Sequence, residues 1–133
     1  VSEHVEVLNR VIPAVAESLS IEAEEVQPSQ TFFVDLKGES IEWLDLSFRL
    51  DKEFRARIPG IGNFANVETD ADGSFTPAGI AALRAFLPAT LIDRVKDRTP
   101  APTAKELAEA ITVDDVAGMV EMALESRRAA AAP

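Results

Sequence analysis

Residues 31–59 read TFFVDLKGESIEWLDLSFRLDKEFRARIP, and the second half of this stretch decides the fold. From Ile41 to Phe54 there is no glycine or proline, and the segment is rich in good helix formers. Leu46, Leu50 and Phe54 recur every four residues, which predicts one helical face turned to a core. Ile41, Leu44 and Phe48 form a neighbouring stripe. Burying each large apolar side chain gains roughly 1.5–3 kcal/mol. The core stripe can therefore offset much of the entropy lost in ordering the helix. The helix is predicted to open at Ser40, with that serine as its cap, and Ile58-Pro59-Gly60 closes the segment.

Working outward, an apolar stripe at Val5, Leu8, Ile12, Val15 and Leu19 predicts a first helix. Pro13 lies inside it and removes a backbone donor, so a kink or break is expected near Asn9 to Ile12. Glu22 to Gln30 reads as a loop. Residues 60–75 read as another, with Gly60, Gly62 and the turn Asp70-Ala71-Asp72-Gly73. Thr76-Pro77 is a helix start, carrying Ile80, Leu83, Phe86 and Leu87 and stopping near Pro88. A short helix is expected over Ala89 to Lys96, and Thr103 caps another through Ala110. The last helix opens at Thr112, with Asp114 and Asp115 suited to its positive end. Its apolar positions are Val113, Val116, Val120 and Leu124, with Met119 alongside, and Arg127 and Arg128 complement its C-terminal end. No strand pattern of useful length is present, so the class is all-α. Residues 1–128 are expected to form a single domain, with 129–133 as a frayed tail.

Composition narrows the function. Acidic residues outnumber basic ones, 23 to 13, for a formal net charge of −10. That argues against nucleic acid, whose phosphates require a dense basic surface. An acidic surface instead favours encounter with basic patches on partner proteins, or simply keeps a small domain soluble. The absence of cysteine removes disulfides, thiolate catalysis and cysteine metal sites. With no membrane-length apolar run and no signal-peptide layout, a soluble cytoplasmic monomer without membrane insertion is expected.

Ser40 carries the chemistry. A hydroxyl where a helix starts lies beside unpaired backbone N–H groups, and a phosphodiester there would sit at the positive end of the helix dipole. By itself such a serine is an ordinary cap. The surrounding pattern adds more: Phe32, Asp35, Leu36, Glu39, Ser40, Ile41, Leu46, Leu50, Phe54, Ile58 and Pro59 fall in ungapped register. Together with Ile111-Thr112-Val113 and Val116, they resemble the acyl carrier protein family, a four-helix bundle loaded with phosphopantetheine.

The resemblance implies a 4′-phosphopantetheine arm on Ser40, installed from coenzyme A by a phosphopantetheinyl transferase and flanked by Glu39 and Ile41. Acyl intermediates would ride on the arm's thiol as thioesters, in specialised lipid, fatty acid or polyketide biosynthesis. The carrier itself would not be an enzyme; synthases, reductases and acyltransferases would act on it. Leu44, Asp45 and Phe48, beside Ile41, occupy the positions at which the family meets its partners. Trp43 is larger than the family usually places there and would pack on the inserted segment.

Three departures stand out. Glu39 replaces the usual aspartate. Residues 42–57 balance Glu42, Asp45, Asp51 and Glu53 against Arg49, Lys52, Arg55 and Arg57, where the family is strongly acidic. Residues 60–110 form a helical insertion in place of a short loop and one small helix, either a docking surface, a lid over the acyl chain or a passive elaboration.

Other signals are weaker. Glu68 to Gly79 imitates a calcium loop, but glycine stands where the bidentate glutamate belongs, so no metal site is expected. Gly38-Glu39-Ser40 is followed by Ile41-Glu42, not by a nucleophile elbow. His4, the one histidine, reads as a surface residue. The alternative to a loaded carrier is a carrier-like helical module that docks partners and is never modified.

Overall fold

A computed structural model describes residues 2–131. Among them seven α-helices and no strands are formed: α1 (Glu3–Leu19), α2 (Ser40–Phe54), α3 (Ile61–Phe64), α4 (Pro77–Leu83), α5 (Ala89–Val95), α6 (Ala104–Ala110) and α7 (Val113–Ala131). The all-α expectation holds. The long helix α1 packs against both α2 and α7, while α3 and α5 each pack against α6. The apolar interior is one continuous cluster. It joins Val11, Leu46, Leu50 and Val116 of the long helices to Phe64, Leu83, Leu91 and Leu107 of the 60–110 segment.

Helix α1 differs from expectation in two ways. It runs unbroken through Pro13, with no break at Asn9 to Ile12. Pro13 and Asn9 both lie on the solvent side, where water can satisfy the carbonyl that the proline leaves without a donor. Its buried face is also rotated from the stripe of large residues. Val7, Val11, Ala14, Val15 and Ser18 are buried, whereas Leu8, Ile12 and Leu19 are half-buried and Val5 is exposed. Contact with two helices at once favours the face whose smaller residues permit close approach.

In α2, Trp43, Leu46, Leu50 and Phe54 are buried, as the four-residue spacing requires. Trp43 stands edge-on to Phe32, its ring also lies against Phe33, and its Nε1 donates to the Pro59 carbonyl at 3.0 Å. These partners precede the 60–110 segment, and the indole belongs to the same core cluster as Phe64 of that segment. Residues 60–75 are not entirely loop, because Ile61–Phe64 make the turn of α3 and bury Phe64. Thr76 caps α4 by accepting from Gly79 N at 3.0 Å, with Pro77 in the first turn. That helix ends at Leu83, earlier than expected, and turns lead on to α5.

Helix α7 continues to Ala131, so the tail expected from residue 129 is helical as far as it is described; residues 132–133 lie outside the described span. Arg127 serves another helix than its own. It donates to the carbonyls of Phe54 and Arg55, at 3.2 and 2.8 Å, closing the C-terminal end of α2. Arg128 pairs with Glu3 at the start of α1. The loop Glu22–Gln30 contains a single 3₁₀ turn at Ala23–Glu25.

Candidate functional site

The loop before α2 is pinned at several points. Thr31 and Asp35 exchange bonds: Thr31 N donates to the Asp35 carboxylate, and Asp35 N to the Thr31 hydroxyl, both at 2.9 Å. Leu36 N closes the turn on the Thr31 carbonyl. The same stretch is stitched to the start of α7, through Phe32 N to the Ile111 carbonyl and Val113 N to the Gln30 carbonyl. Gly38 N donates to the Phe32 carbonyl at 2.8 Å, so the chain comes back over the Phe32 ring just before Ser40. Ring, turn and helix α7 together fix where α2 begins.

Glu39, not Ser40, is the cap of α2, and Ser40 is its first helical residue. The Glu42 carboxylate accepts from Glu39 N at 2.8 Å, and the Glu39 carbonyl accepts from Glu42 N and Trp43 N. The expectation of a capping serine is thereby corrected. Backbone and side-chain groups of other residues close the first turn, so the serine is not needed for it. Ser40 is exposed, and its hydroxyl has no hydrogen-bond partner among the described residues. A negative group on that oxygen would lie in the first turn of a fifteen-residue helix, where the dipole contributes about 0.3–1 kcal/mol when solvent-exposed.

The structure brings the expected contact residues together on one outer face. Ile41, Leu44 and Phe48 are 74, 51 and 58% exposed, and Val34 of the preceding loop is exposed too. These large apolar side chains are left out of the core and lie together along one side of the helix. Asp45 is not a free carboxylate. It holds Arg49 at 2.7 Å one turn on, and Arg49 also reaches Glu17 at 2.8 Å, which raises the guanidinium pKa mainly through the Asp45 bond. Of the flanking pair, Glu39 and Ile41 both lie on the open side beside Ser40.

A groove of about 480 Å³ opens next to Ser40, bounded by Phe33, α3 and α6. Sequence reasoning did not find it, because its walls come from segments far apart in the chain. Thr31 and Gly38 were also missed as positioning residues; Thr31, four residues before Asp35, was the available signal. His4 is more than a bystander. Its Nε2 lies 2.6 Å from Asp114, its Nδ1 bonds Glu121, and so it ties α1 to α7. In the 68–79 loop the Glu68 and Asp72 carboxylates accept from Thr76 and Ser74, and among the described residues no group of three His, Asp or Glu side chains is placed to hold a metal ion.

Comparison with known proteins bears on this geometry. Residues 9–60 match a family model described as a phosphopantetheine attachment site. An acyl carrier protein of Thermosynechococcus vestitus is 37% identical over 54 residues, covering 41% of this chain and 67% of that protein. No solved structure matches.

Proposed function

The chain belongs to the acyl carrier protein family, and on that premise we propose that Ser40 is the residue that carries its 4′-phosphopantetheine. Carriers of this family hold acyl groups for other enzymes and are not enzymes themselves. The arm, when bound, supplies a terminal thiol for thioesters; this chain has no cysteine to offer one. The observation that carries the reading is an exposed Ser40 hydroxyl, without a hydrogen-bond partner among the described residues, at the start of a helix whose next turns expose Ile41, Leu44 and Phe48. Loading consumes a hydroxyl that the fold does not use, so modification leaves the bundle intact.

Glu39 and Ile41 flank the attachment point, and Leu44 and Phe48 provide apolar contacts to a phosphopantetheinyl transferase and to acyl-chain synthases, reductases or acyltransferases. Asp45 contributes less than a free carboxylate would, because Arg49 neutralises it. Partners of this carrier therefore draw on apolar contact more than on charge. Residues 1–128 act as one carrier unit. The cargo is an acyl intermediate of specialised lipid, fatty acid or polyketide assembly. Among the described residues no helix is long and apolar enough to cross a membrane.

Intact-mass measurement tests the assignment. Wild-type protein incubated with coenzyme A and a panel of transferases gains one phosphopantetheine, and Ser40→Ala gains none. Wild type left unmodified by every transferase would overturn the assignment and favour a docking module that is never loaded.

A further inference from the structure

A second groove, of about 160 Å³, lies where three parts of the chain meet. Pro59 comes from the end of the matched span 9–60, Phe86 from the turns after α4, and Met119, Met122 and Ala123 from α7. Met119 is buried, and Phe86, Met122 and Ala123 are half-buried beside it. The walls are set before anything binds. Phe86 is stacked on the fully buried Phe64, with centroids 6.3 Å apart and planes 7° from parallel. At Gly118 a β-carbon would stand 2.8 Å from Pro88 Cγ, so its absence lets the turn between α4 and α5 close on α7. Phe86 and Pro88 both belong to the 60–110 segment, which therefore builds one wall.

Size narrows the occupant. Sites for small organic molecules run to roughly 300–1,000 Å³, and this groove falls well short of them. It fits one large apolar side chain, and the flexible thioethers of two methionines can adapt to its shape. Charge decides what flanks that side chain. Among the described residues no carboxylate lines the groove. The one charged residue that does is Arg57, whose side chain is 79% exposed and pairs with Asp51 at 3.3 Å. Arg55 is exposed two residues earlier, and Arg127 donates to its carbonyl at 2.8 Å. These guanidinium groups make a local cationic edge on a chain whose formal net charge is −10.

We infer that this groove is a second docking surface, taking a segment of a partner protein that presents one large apolar side chain between carboxylates. Neither Ser40 nor Ile41, Leu44 and Phe48 lines it, so it is separate from the face beside the serine. The apolar side chain makes the buried contact, and the carboxylates meet Arg57 and Arg55. Basic segments are turned away by the same charges. The 60–110 segment thus serves recognition.

Met119 and Met122 are the only methionines of the chain, and both line the groove. The full chain labelled with carbon-13 at its methionine methyls therefore gives two NMR signals, each reporting on this site. The probe is the synthetic peptide acetyl-Gly-Ser-Asp-Phe-Asp-Ser-Gly-amide, and both signals are expected to shift saturably as it is added. Changing the peptide's phenylalanine to alanine, or its aspartates to lysines, weakens binding about tenfold. Arg57→Glu weakens binding of the aspartate peptide to a similar degree. Ser126→Glu, at an exposed rim position, serves the same end should Arg57→Glu fail to fold. The inference is overturned by the absence of saturable shifts, by equal binding of the lysine peptide, or by undiminished binding in the glutamate variants. Sodium octanoate saturating both signals at lower concentration than the peptide would overturn it too, in favour of a site for small amphiphiles. Such results leave Ser40 loading intact, since that is judged separately by the mass of wild-type protein.

Discussion

Gly38 lies so close to the Phe32 ring that a methyl group on its α-carbon would stand 2.4 Å from Phe32 Cε2 and 2.9 Å from the Phe32 carbonyl oxygen. Phe32 is fully buried and held edge-on by Phe33 and Trp43, so it has little freedom to withdraw. Gly38→Ala must therefore move the backbone two residues before Ser40. Overpacking of this kind costs about 1–3 kcal/mol. Urea denaturation is expected to show that loss, and phosphopantetheine loading slows in the still-folded variant. Unchanged stability and loading would mean that the loop does not position the serine.

Leu44 and Phe48 contribute little to the bundle, because they project into solvent. Leu44→Asp and Phe48→Asp should each change stability by no more than about 0.5 kcal/mol. If partners use this face, kcat/KM for transferase loading falls roughly tenfold per substitution, the loss of one central apolar contact. Loading kinetics at fixed coenzyme A would check this, with a thermal melt to verify folding.

His4 makes stability depend on pH. Its pKa is raised above the usual 6.5, chiefly by the hydrogen bond to Glu121 and then by that to Asp114, against a smaller opposing effect of burial. A cation favoured in the folded state contributes stability that is fully present below the unfolded-state pKa. The contribution is lost as pH rises through the higher folded-state value. The melting temperature of His4→Ala should therefore fall below wild type near about pH 5.5–6, and the gap should narrow as pH rises past the raised pKa. A gap that widens with pH would contradict the clasp.

Arg94 fastens the 60–110 segment to α7. It bonds the buried Asp115 carboxylate and donates to the Ala110 carbonyl at 3.3 Å, while Asp115 also accepts from Thr112 N at 2.9 Å. Arg94→Ala leaves that carboxylate without its cation, a loss of about 1–3 kcal/mol, since Arg94 is partly exposed and Asp115 keeps the Thr112 N–H. Arg94→Lys should recover only part of it, because one ammonium cannot replace a planar fork. Denaturation midpoints of both variants would show whether the order holds.

How much of this was legible in the sequence varies by element. The four-residue spacing of Leu46, Leu50 and Phe54 was sufficient for α2, because a long apolar stripe on a helix has few other uses. Thr76-Pro77 and Thr103 marked helix starts through local bonds that act within three residues. For α1 the same reasoning found the helix but not the rotation of its buried face: Val15 is buried, while Leu8, Ile12 and Leu19 pack at the edge of the core. Spacing identifies a helix, but which side is buried depends on where α2 and α7 lie. Arg127 looked like a complement to its own helix and instead closes α2, a pairing across 72 residues that no local rule contains.

The order of residues alone determined an all-helical chain, the acidic balance, and a serine in a stretch like that of carriers, because each depends on near neighbours or on totals. Only the folded chain decided that Glu39 rather than Ser40 caps α2, that Pro13 leaves α1 whole, and that α3 and α6 meet beside the serine. Those outcomes depend on distances between segments far apart along the backbone, and such distances exist only once the helices have packed.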